Sequence, residues 1–248
     1  MTTNVYDESL KMFCTDSRWS FDIRLAGGAH YAILYVDDTG FEKIESQPDY
    51  SFMFAGNSKL INEWKHWIRS PNKVVLPKPA TADDFAVCMV ETSTGKIVFE
   101  HGQKISGSDH RFAGTGAYDA YKCWNLHKNP KKCIESASKV DVYTGGNVIF
   151  LDMGKKTSNI PTEADLREIN NLTLKKGMIM YIQTTLDKAI TVKEASEKDS
   201  LIKNFVEKVA NGSAQAEARS GLDKIVWTDA DKERLDDALL ACYGVPKR

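Results

Sequence analysis

Residues 1–20 read MTTNVYDESLKMFCTDSRWS. Two short stretches of strand-forming residues, 3–6 and 11–14, flank an Asp-Glu-Ser turn, and Asp-Ser-Arg at 16–18 ends the second stretch. Short strand-forming stretches bounded by turn formers are typical of a β-hairpin. We therefore predict that the chain begins with a hairpin around which the rest of the fold is organised.

The second residue of the chain, Thr2, has a side chain that could take part in catalysis. Removal of Met1 would leave Thr2 with both a hydroxyl and a free α-amine. An α-amine titrates near pH ~8, so at neutral pH it can take the proton of the neighbouring hydroxyl. Thr2 is therefore a candidate nucleophile that carries its own general base. No propeptide precedes it, so we expect methionine aminopeptidase rather than autocleavage to expose it.

The composition excludes several classes of function. The 248-residue chain is 42% hydrophobic and 27% charged with a net charge of −1, and its pI is near 6.5. Without a basic run, it has no electrostatic footprint for nucleic acid or an anionic membrane. No stretch approaches the ~18 apolar residues of a membrane helix, and no signal peptide is apparent. We expect a cytoplasmic protein without nucleic-acid or membrane partners.

The cysteines and histidines are not grouped as metal ligands. The five cysteines form no Cys-x-x-Cys pair, and the five histidines show no short spacing. This pattern predicts buried, reduced thiols rather than a zinc site or a disulfide framework. We expect neither a metal nor an organic cofactor. The cysteines are Cys14, Cys88, Cys123, Cys133 and Cys242.

The first 151 residues alternate between strands and helices. A helix is predicted after Ser58 as N-cap, because apolar residues from Leu60 to Ile68 recur on one face. Strands flanked by helices in this order favour a layered α+β fold. The other predicted elements are strands within 26–40 and at 41–45, 50–54, 85–91, 96–100 and 141–151, and helices at about 114–127 and 130–139.

The last part of the chain is more charged and predominantly helical. A capping box at 162–165 predicts a short helix, and apolar spacing predicts a second over 201–209. Thr228 or Asp229 is expected to cap a final helix that Gly244 ends. Periodicity does not decide between strand and helix for 178–185.

Six separated motifs occur in one order over residues 2–151. They are Thr2-Thr3, Asp16-Ser17-Arg18, Phe41-Glu-Lys-Ile44, Phe54-Ala-Gly56, Gly114-Thr-Gly-Ala-Tyr118 and Asp141-Val-Tyr-Thr-Gly-Gly146. With these motifs the chain resembles a proteasome-type β subunit. This family includes the peptidase subunit of the bacterial two-component heat-shock protease, and the resemblance is strongest to the bacterial proteasome homologues found outside the actinobacteria.

The resemblance implies a role for three residues at the start of the chain. Thr2 would attack a carbonyl. Lys43 occupies the place of the family lysine that keeps the pKa of the threonine hydroxyl low. Asp16 matches the carboxylate that pairs with and orients this lysine. On their own, a lysine and a turn aspartate are more commonly a surface charge and a turn cap.

Four further residues complete the implied site. Gly56 matches the position whose backbone N–H faces the developing oxyanion, and a glycine there allows the substrate carbonyl to approach the main chain. Thr115 and Thr144 stand where the family usually has serines, and Asp141 matches the neighbouring aspartate. These hydroxyls and this carboxylate would hold the α-amine and relay its proton.

The sequence departs from the family pattern in two further places. The spacing from Asp16 to Lys43 is longer, and residues 26–40 take up the extra length. Asn57 replaces the second glycine of the usual Ala-Gly-Gly.

The resemblance implies a four-layer αββα sandwich of the N-terminal-nucleophile hydrolase type, with a mostly helical C-terminal extension. We expect a hydrolase core at 1–152 and an extension at 153–248, packed on the core or at a ring interface. The implied activity is that of a threonine-type endopeptidase in a homo-oligomeric double ring. It would act on peptides or unfolded proteins, with a possible unfoldase partner.

Two other functions are compatible with the same residues. One is a ring-forming binding or scaffold protein without peptidase activity, which retention of Met1 or a distant Lys43 would favour. The other is a small-molecule amidase that uses the same nucleophile, which a monomer or dimer with an open pocket would favour.

Overall fold

The fold contains two antiparallel β-sheets. The computed structural model describes residues 2–73, 76, 78–162, 164–185, 188–219 and 225–245. Within these residues six strands form one sheet in the order β12-β11-β2-β1-β10-β9. Its strands are β1 (Thr3–Asp7), β2 (Met12–Asp16), β9 (Ile105–Ser106), β10 (His110–Gly114), β11 (Val148–Asp152) and β12 (Thr157–Ser158).

The second sheet has nine strands among the described residues, in the order β14-β13-β4-β3-β15-β6-β7-β8, with β5 paired to β6. Every pairing in it is antiparallel. Its strands are β3 (Trp19–Arg24), β4 (His30–Val36), β5 (Ile44–Ser46), β6 (Tyr50–Asn57), β7 (Phe85–Glu91), β8 (Ile97–His101), β13 (Met178–Tyr181), β14 (Ile190–Thr191) and β15 (Glu217–Ala218).

Helices connect and cover these sheets. None of them, within the part of the chain that the structure describes, is long and apolar enough to cross a membrane. The helices are α1 (Ser58–Arg69), α2 (Ala117–His127), α3 (Pro130–Ala137), α4 (Arg167–Lys176), α5 (Val192–Lys198), α6 (Ser200–Ala210) and α7 (Asp229–Tyr243).

The six-stranded sheet is buried on both faces. Val5 of β1 packs in a cluster with α2 and α3. The next residue along β1, Tyr6, belongs to a different cluster, together with Met53 of β6 and Cys88 of β7. Because successive side chains of a strand point to opposite faces, this sheet contacts helices on one face and the other sheet on the second.

The nine-stranded sheet repeats this alternation. Met53 of β6 faces the six-stranded sheet, whereas its neighbours Phe52 and Phe54 belong to the largest cluster, which includes Trp64 of α1 and Leu235 of α7. Both faces of β6 are therefore apolar, which explains the continuous hydrophobic run in this strand.

Most of the predicted elements are present, with shifted bounds. The N-cap of α1 is Asn57 rather than the predicted Ser58, because the Asn57 side chain accepts hydrogen bonds from the backbone N–H groups of Lys59 and Leu60. Of the strand predicted at 41–45, only β5 forms. The strand predicted from residue 141 begins at Val148, because Thr144 N–H closes a turn on the Asp141 carbonyl at 3.0 Å.

Residues 153–248 contribute strands as well as helices. The undecided stretch at 178–185 contains a strand, β13, which pairs with β4. The two-residue β15 lies between β3 and β6 in the nine-stranded sheet. The division into a core at 1–152 and an extension at 153–248 stays a prediction.

Candidate active site

The site is built around Asp16, the last residue of β2, which is fully buried. Its Oδ1 accepts a hydrogen bond from Thr3 N–H at 2.9 Å. Its Oδ2 accepts from Arg18 N–H at 3.2 Å and from Gly145 N–H at 3.1 Å. Three backbone donors on one buried carboxylate compensate the cost of removing it from water and fix its position.

Thr2 lies directly against this carboxylate. Its Oγ1 donates a hydrogen bond to Asp16 Oδ1 and lies 3.4 Å from Thr15 Oγ1. Thr2 is fully buried. Gly114 of the paired strand β10 allows this packing, because it has a φ of +93° and a Cβ there would overlap the Thr2 carbonyl. Met1, whose removal would expose the Thr2 amine, lies outside the described residues.

Lys43 approaches Asp16 from the nine-stranded sheet. Its Nζ donates to the Asp16 carbonyl at 2.5 Å and lies 3.6 Å from Asp16 Oδ1. The Lys43 side chain is completely buried, with Nζ 5.2 Å from the centroid of the Trp19 ring. A buried ammonium group is tolerated only where it is paired and hydrogen-bonded. The turn aspartate and the lysine are thus a buried pair rather than surface charges.

The surrounding backbone holds Lys43 in place. Trp19 Nε1 donates to the Phe41 carbonyl at 2.8 Å, and Phe54 N–H donates to the Lys43 carbonyl at 2.8 Å. These two bonds fix the segment before β5 between β3 and β6. The longer spacing from Asp16 to Lys43 is taken up by β3 and β4, so it does not separate the two side chains.

A second polar group centres on Asp141. Its Oδ2 accepts from Thr115 Oγ1 at 2.6 Å and from Thr144 Oγ1 at 2.7 Å. Thr144 Oγ1 also lies 2.6 Å from Thr3 Oγ1, which connects this group to the residue after Thr2. The three residues predicted to act together from two distant parts of the sequence, 115 and 141–144, do lie in hydrogen-bonding contact.

Gly56 lies near the end of β6, outside both groups. Its φ is +122°, and a Cβ at this position would overlap the Asp84 carbonyl. The strand is connected to the site through Asn4, whose Nδ2 donates to the Phe54 carbonyl at 2.8 Å. The glycine was expected because of a close approach by substrate, and the structure gives an independent reason in the approach of the chain at Asp84.

An ion pair that sequence reasoning missed supports the turn after β2. Arg18 Nε and Nη2 donate to the Asp37 carboxylate at 2.7 and 2.8 Å, and Nη1 donates to the Val142 carbonyl at 2.7 Å. Arg18 therefore joins the end of β4 to the turn that carries Asp141 and Thr144. The only signal in the sequence is the pair of aspartates, Asp37 and Asp38, that follows the apolar run of β4.

The described side chains offer no metal centre: among them, no group of three or more His, Cys, Asp or Glu residues could hold an ion. The four cysteines of the sheets and α2–α3 are buried, and Cys242 is partly exposed, each as a free thiol.

Comparison with known proteins gives a likeness to solved structures but none in sequence. No protein-family model matches the sequence. No curated protein is similar to it in sequence. Among solved structures, the chain is similar to the crystal structure of eukaryotic HslV from Trypanosoma brucei, with 10% sequence identity, a TM-score of 0.35, and coverage of 60% of this chain and 97% of that chain.

Proposed function

We propose that this protein is a threonine-type peptidase of the N-terminal-nucleophile class and that Thr2 forms the acyl-enzyme. The observation that carries the proposal is the meeting of Thr2 and Lys43 on one buried carboxylate, Asp16. A hydroxyl beside a buried cation and a carboxylate is the arrangement of an activated nucleophile.

In the acylation step the free Thr2 α-amine takes the Oγ1 proton as Oγ1 attacks the peptide carbonyl. The Lys43 ammonium group stabilises the negative charge that develops on Oγ1, and Asp16 orients both groups. The resulting ammonium of Thr2 then donates its proton to the leaving amine, so that the C–N bond breaks and an ester remains on Thr2. Water, deprotonated by the amine, attacks this ester and restores the enzyme.

The Asp141 group would act on the Thr2 amine. The Thr144 hydroxyl forms a hydrogen bond with the hydroxyl of Thr3, the residue after the reacting amine. The Asp141 carboxylate accepts hydrogen bonds from Thr144 and Thr115 and so fixes both hydroxyls. Hydroxyls that can rotate are suited to relay a proton, because each is both donor and acceptor. We assign the three residues to positioning the amine and exchanging its proton.

Gly56 would provide the oxyanion donor. A backbone N–H aimed at the charge that develops in the transition state contributes a few kcal/mol to catalysis, typically about 3 kcal/mol. The positive φ of Gly56 would set the direction of this N–H, and the nearby Asp84 carbonyl leaves no room for a side chain there.

The architecture that fits this activity is a four-layer αββα sandwich at 1–152 with an extension at 153–248. Support comes from the three apolar clusters, two between a sheet and helices and one between the sheets. We further infer homo-oligomeric stacked rings that admit peptides or unfolded chains, with an unfoldase as a possible partner, in the cytoplasm. These follow from the motif resemblance in the first 151 residues.

Intact mass spectrometry after incubation with a peptide epoxyketone tests the proposal. This reagent forms a stable ring only with a free N-terminal amine and the adjacent hydroxyl. We expect a species that lacks Met1 and carries one adduct, and we expect Thr2→Ala to lose Met1 without gaining the adduct. A wild-type mass that retains Met1 and no adduct would contradict peptidase activity and favour the scaffold alternative.

A further inference from the structure

The nine-stranded sheet contains a slot one strand wide. β3 and β6 each pair antiparallel with β15, so they run parallel to each other and are separated by it. β15 has only two residues, Glu217 and Ala218. β5 covers the edge of β6 over residues 51–53, so the slot is confined to the end of β6 at Gly56–Asn57 and to Ser20 of β3. Without β15, main-chain donors and acceptors would face each other across this slot, which is the shape that accepts a short extended peptide by strand addition.

The segment that fills the slot is held by its main chain. Ser58 N–H donates to the Ala216 carbonyl at 3.2 Å from the β6 side. Ser20 Oγ donates to the Glu217 carbonyl at 3.2 Å from the β3 side. Hydrogen bonds to carbonyls on both sides are independent of the side chains of the segment, as in the recognition of peptides by sheet edges.

Small apolar and charged side chains alternate along residues 216–219. Ala216 and Ala218 are small and buried. Arg219 pairs with Asp22 of β3 through Nη1 at 2.8 Å and with Glu217 through Nε at 2.5 Å. The register places Ala218 directly opposite Gly56, the residue assigned above to the oxyanion donor.

We propose that residues 216–219 are an internal occupant of the peptide-binding slot and that a substrate must displace them to reach Thr2. This inference rests on the proposed function in that it takes Thr2 as the reacting residue. The slot itself is defined by the strand pairing and is independent of that proposal. The slot accepts an extended peptide with a small residue opposite Gly56 and a basic residue after it, because Asp22 lies in position for a cation. The chain thereby limits its own activity.

Residues 216–219 can be released from the sheet without unfolding of the rest of the domain. A strand of two residues makes few ladder bonds, so its release costs far less than that of a full-length strand. The chain is fixed again further on by the fully buried Trp227, whose Nε1 donates to the Phe85 carbonyl at 2.9 Å. Trp227 and α7 can therefore stay in place when residues 216–219 are displaced.

A disulfide that locks the segment tests the inference. Ser20 and Glu217 are opposite each other in antiparallel register, within the range that a disulfide spans. The double variant Ser20→Cys, Glu217→Cys is compared oxidised and reduced, and each single variant controls for the native thiols. The probe is a fluorescein-labelled hexapeptide with the chain's own sequence at 214–219, AQAEAR, and its binding is followed by fluorescence anisotropy.

We expect the oxidised double variant to bind the probe at least about tenfold more weakly than the same protein after reduction, since the lock keeps the slot filled. The single variants should bind equally with and without reductant. Equal binding by the oxidised and reduced double variant would overturn the inference, as would the absence of probe binding to the reduced form.

A second variant removes an anchor instead of adding one. Arg219→Ala loses the ion pair with Asp22 and should bind the probe more tightly than wild type, whereas Lys122→Ala, which removes an exposed ion pair with Asp119 on α2, should not. The epoxyketone adduct is measured in parallel on each protein. If probe binding differs between the oxidised and reduced double variant but no protein forms the epoxyketone adduct, the slot is upheld and the peptidase activity is refuted. If the adduct forms equally fast in the oxidised and reduced double variant, only the proposal about residues 216–219 is refuted.

Discussion

Two buried lysines each lie beside a carboxylate, Lys43 in the segment before β5 and Lys65 on α1, and their surroundings differ. Lys43 donates to the Asp16 carbonyl at 2.5 Å and lies 3.6 Å from the Asp16 carboxylate. Lys65 of α1 donates to the Glu42 carbonyl at 2.7 Å and lies 3.8 Å from the Glu45 carboxylate. Each also faces an aromatic ring, Trp19 for Lys43 and Phe41 for Lys65.

What differs is the third partner. The carboxylate near Lys43 also accepts from Thr2 Oγ1, whereas the carboxylate near Lys65 is held by both Nε and Nη2 of Arg69. Lys65 thus shares Glu45 with a second cation, Arg69, where Lys43 shares Asp16 with the hydroxyl of Thr2. A cavity of about 190 Å³ lined by Lys65, Glu42 and Glu45 adjoins it. Burial of a lysine beside a carboxylate is therefore not by itself a sign of catalysis, and the neighbouring hydroxyl is the feature that distinguishes Lys43.

Replacing each lysine by methionine tests this distinction most directly. We expect Lys43→Met to slow formation of the epoxyketone adduct about 10²- to 10⁴-fold, the range found when a group that assists proton transfer is removed. Lys65→Met should leave the rate within about threefold, since Lys65 has no part in the proposed proton path. The rates are followed by intact mass over time, with near-UV circular dichroism to establish that both variants are folded. Equal rates for the two variants would end the assignment of Lys43.

Asp16→Asn should cost the most stability. Asp16 accepts three backbone N–H bonds, and an amide presents a donor in place of one of its acceptors, so at least one buried N–H loses its partner. The expected loss is about 3 kcal/mol in the free energy of unfolding, measured by urea denaturation. Asp119→Asn on the exposed part of α2 is the matched control and should change stability by less than about 0.5 kcal/mol. A stability equal to wild type would show that Asp16 is not fixed as described.

Glu42 should make stability depend on pH in a defined window. Burial raises the pKa of Glu42 to about 7, and its Oε2 has no hydrogen-bond partner. Because the folded state keeps the proton that the unfolded state loses, this contribution is full below pH ~4.5 and is lost as the pH rises to 7. Glu42→Gln should therefore be more stable than wild type by up to about 3 kcal/mol at pH 8 and equal to it at pH 4.5.

The measurement is urea unfolding of both proteins at a series of pH values. Glu233→Gln, at an exposed position on α7, is the control for removing one negative charge. A difference between Glu42→Gln and wild type that did not vary between pH 4.5 and 8 would rule out titration of Glu42 as its origin.

Lys65→Met should have the smallest effect, and of opposite pH dependence. Burial lowers the pKa of Lys65 to about 8. The folded state therefore gives up its proton before the unfolded state does, and the stability of wild type should rise as the pH increases from 8 to 10.5. Methionine removes this dependence and should stabilise the protein by about 1 kcal/mol at pH 7, because Arg69 still holds Glu45. A loss of stability at pH 7 would show that the ion pair outweighs the cost of burying it.

The sequence predicted the parts of the site that depend on local motifs. Asp16 ends a strand, Gly56 precedes a helix and Thr115 follows a positive-φ glycine, and each of these is visible in a few neighbouring residues. Thr115 contacts Asp141, whereas Gly56 lies apart from both polar groups, and the roles of these residues stay predictions. The pair of Arg18 and Asp37 was not predicted, because it joins the ends of two strands whose register no local pattern gives.

Two strands were not predicted from the sequence, and the reasons differ. β3 was missed although Trp19, Phe21 and Ile23 alternate with polar residues, a pattern that does predict a half-buried strand. β15 has no such signal: Ala-Glu-Ala-Arg at 216–219 is helix-forming by propensity. It is extended only because β3 and β6 leave a gap that a strand can fill, and that gap is a property of the folded sheet.

The place of β15 in the chain also affects how the protein is made. Among the described residues it is the last strand in sequence, yet it lies in the interior of the larger sheet. While the chain is being synthesised, β3 and β6 are present long before residue 217 emerges, so the parts of their edges that β15 later covers, at Ser20 and Gly56–Asn57, are open during that time. An open pair of strand edges is a target for chaperones and for other nascent chains. The gap that β15 closes late in synthesis is the same gap that, in our proposal, a substrate would have to reopen.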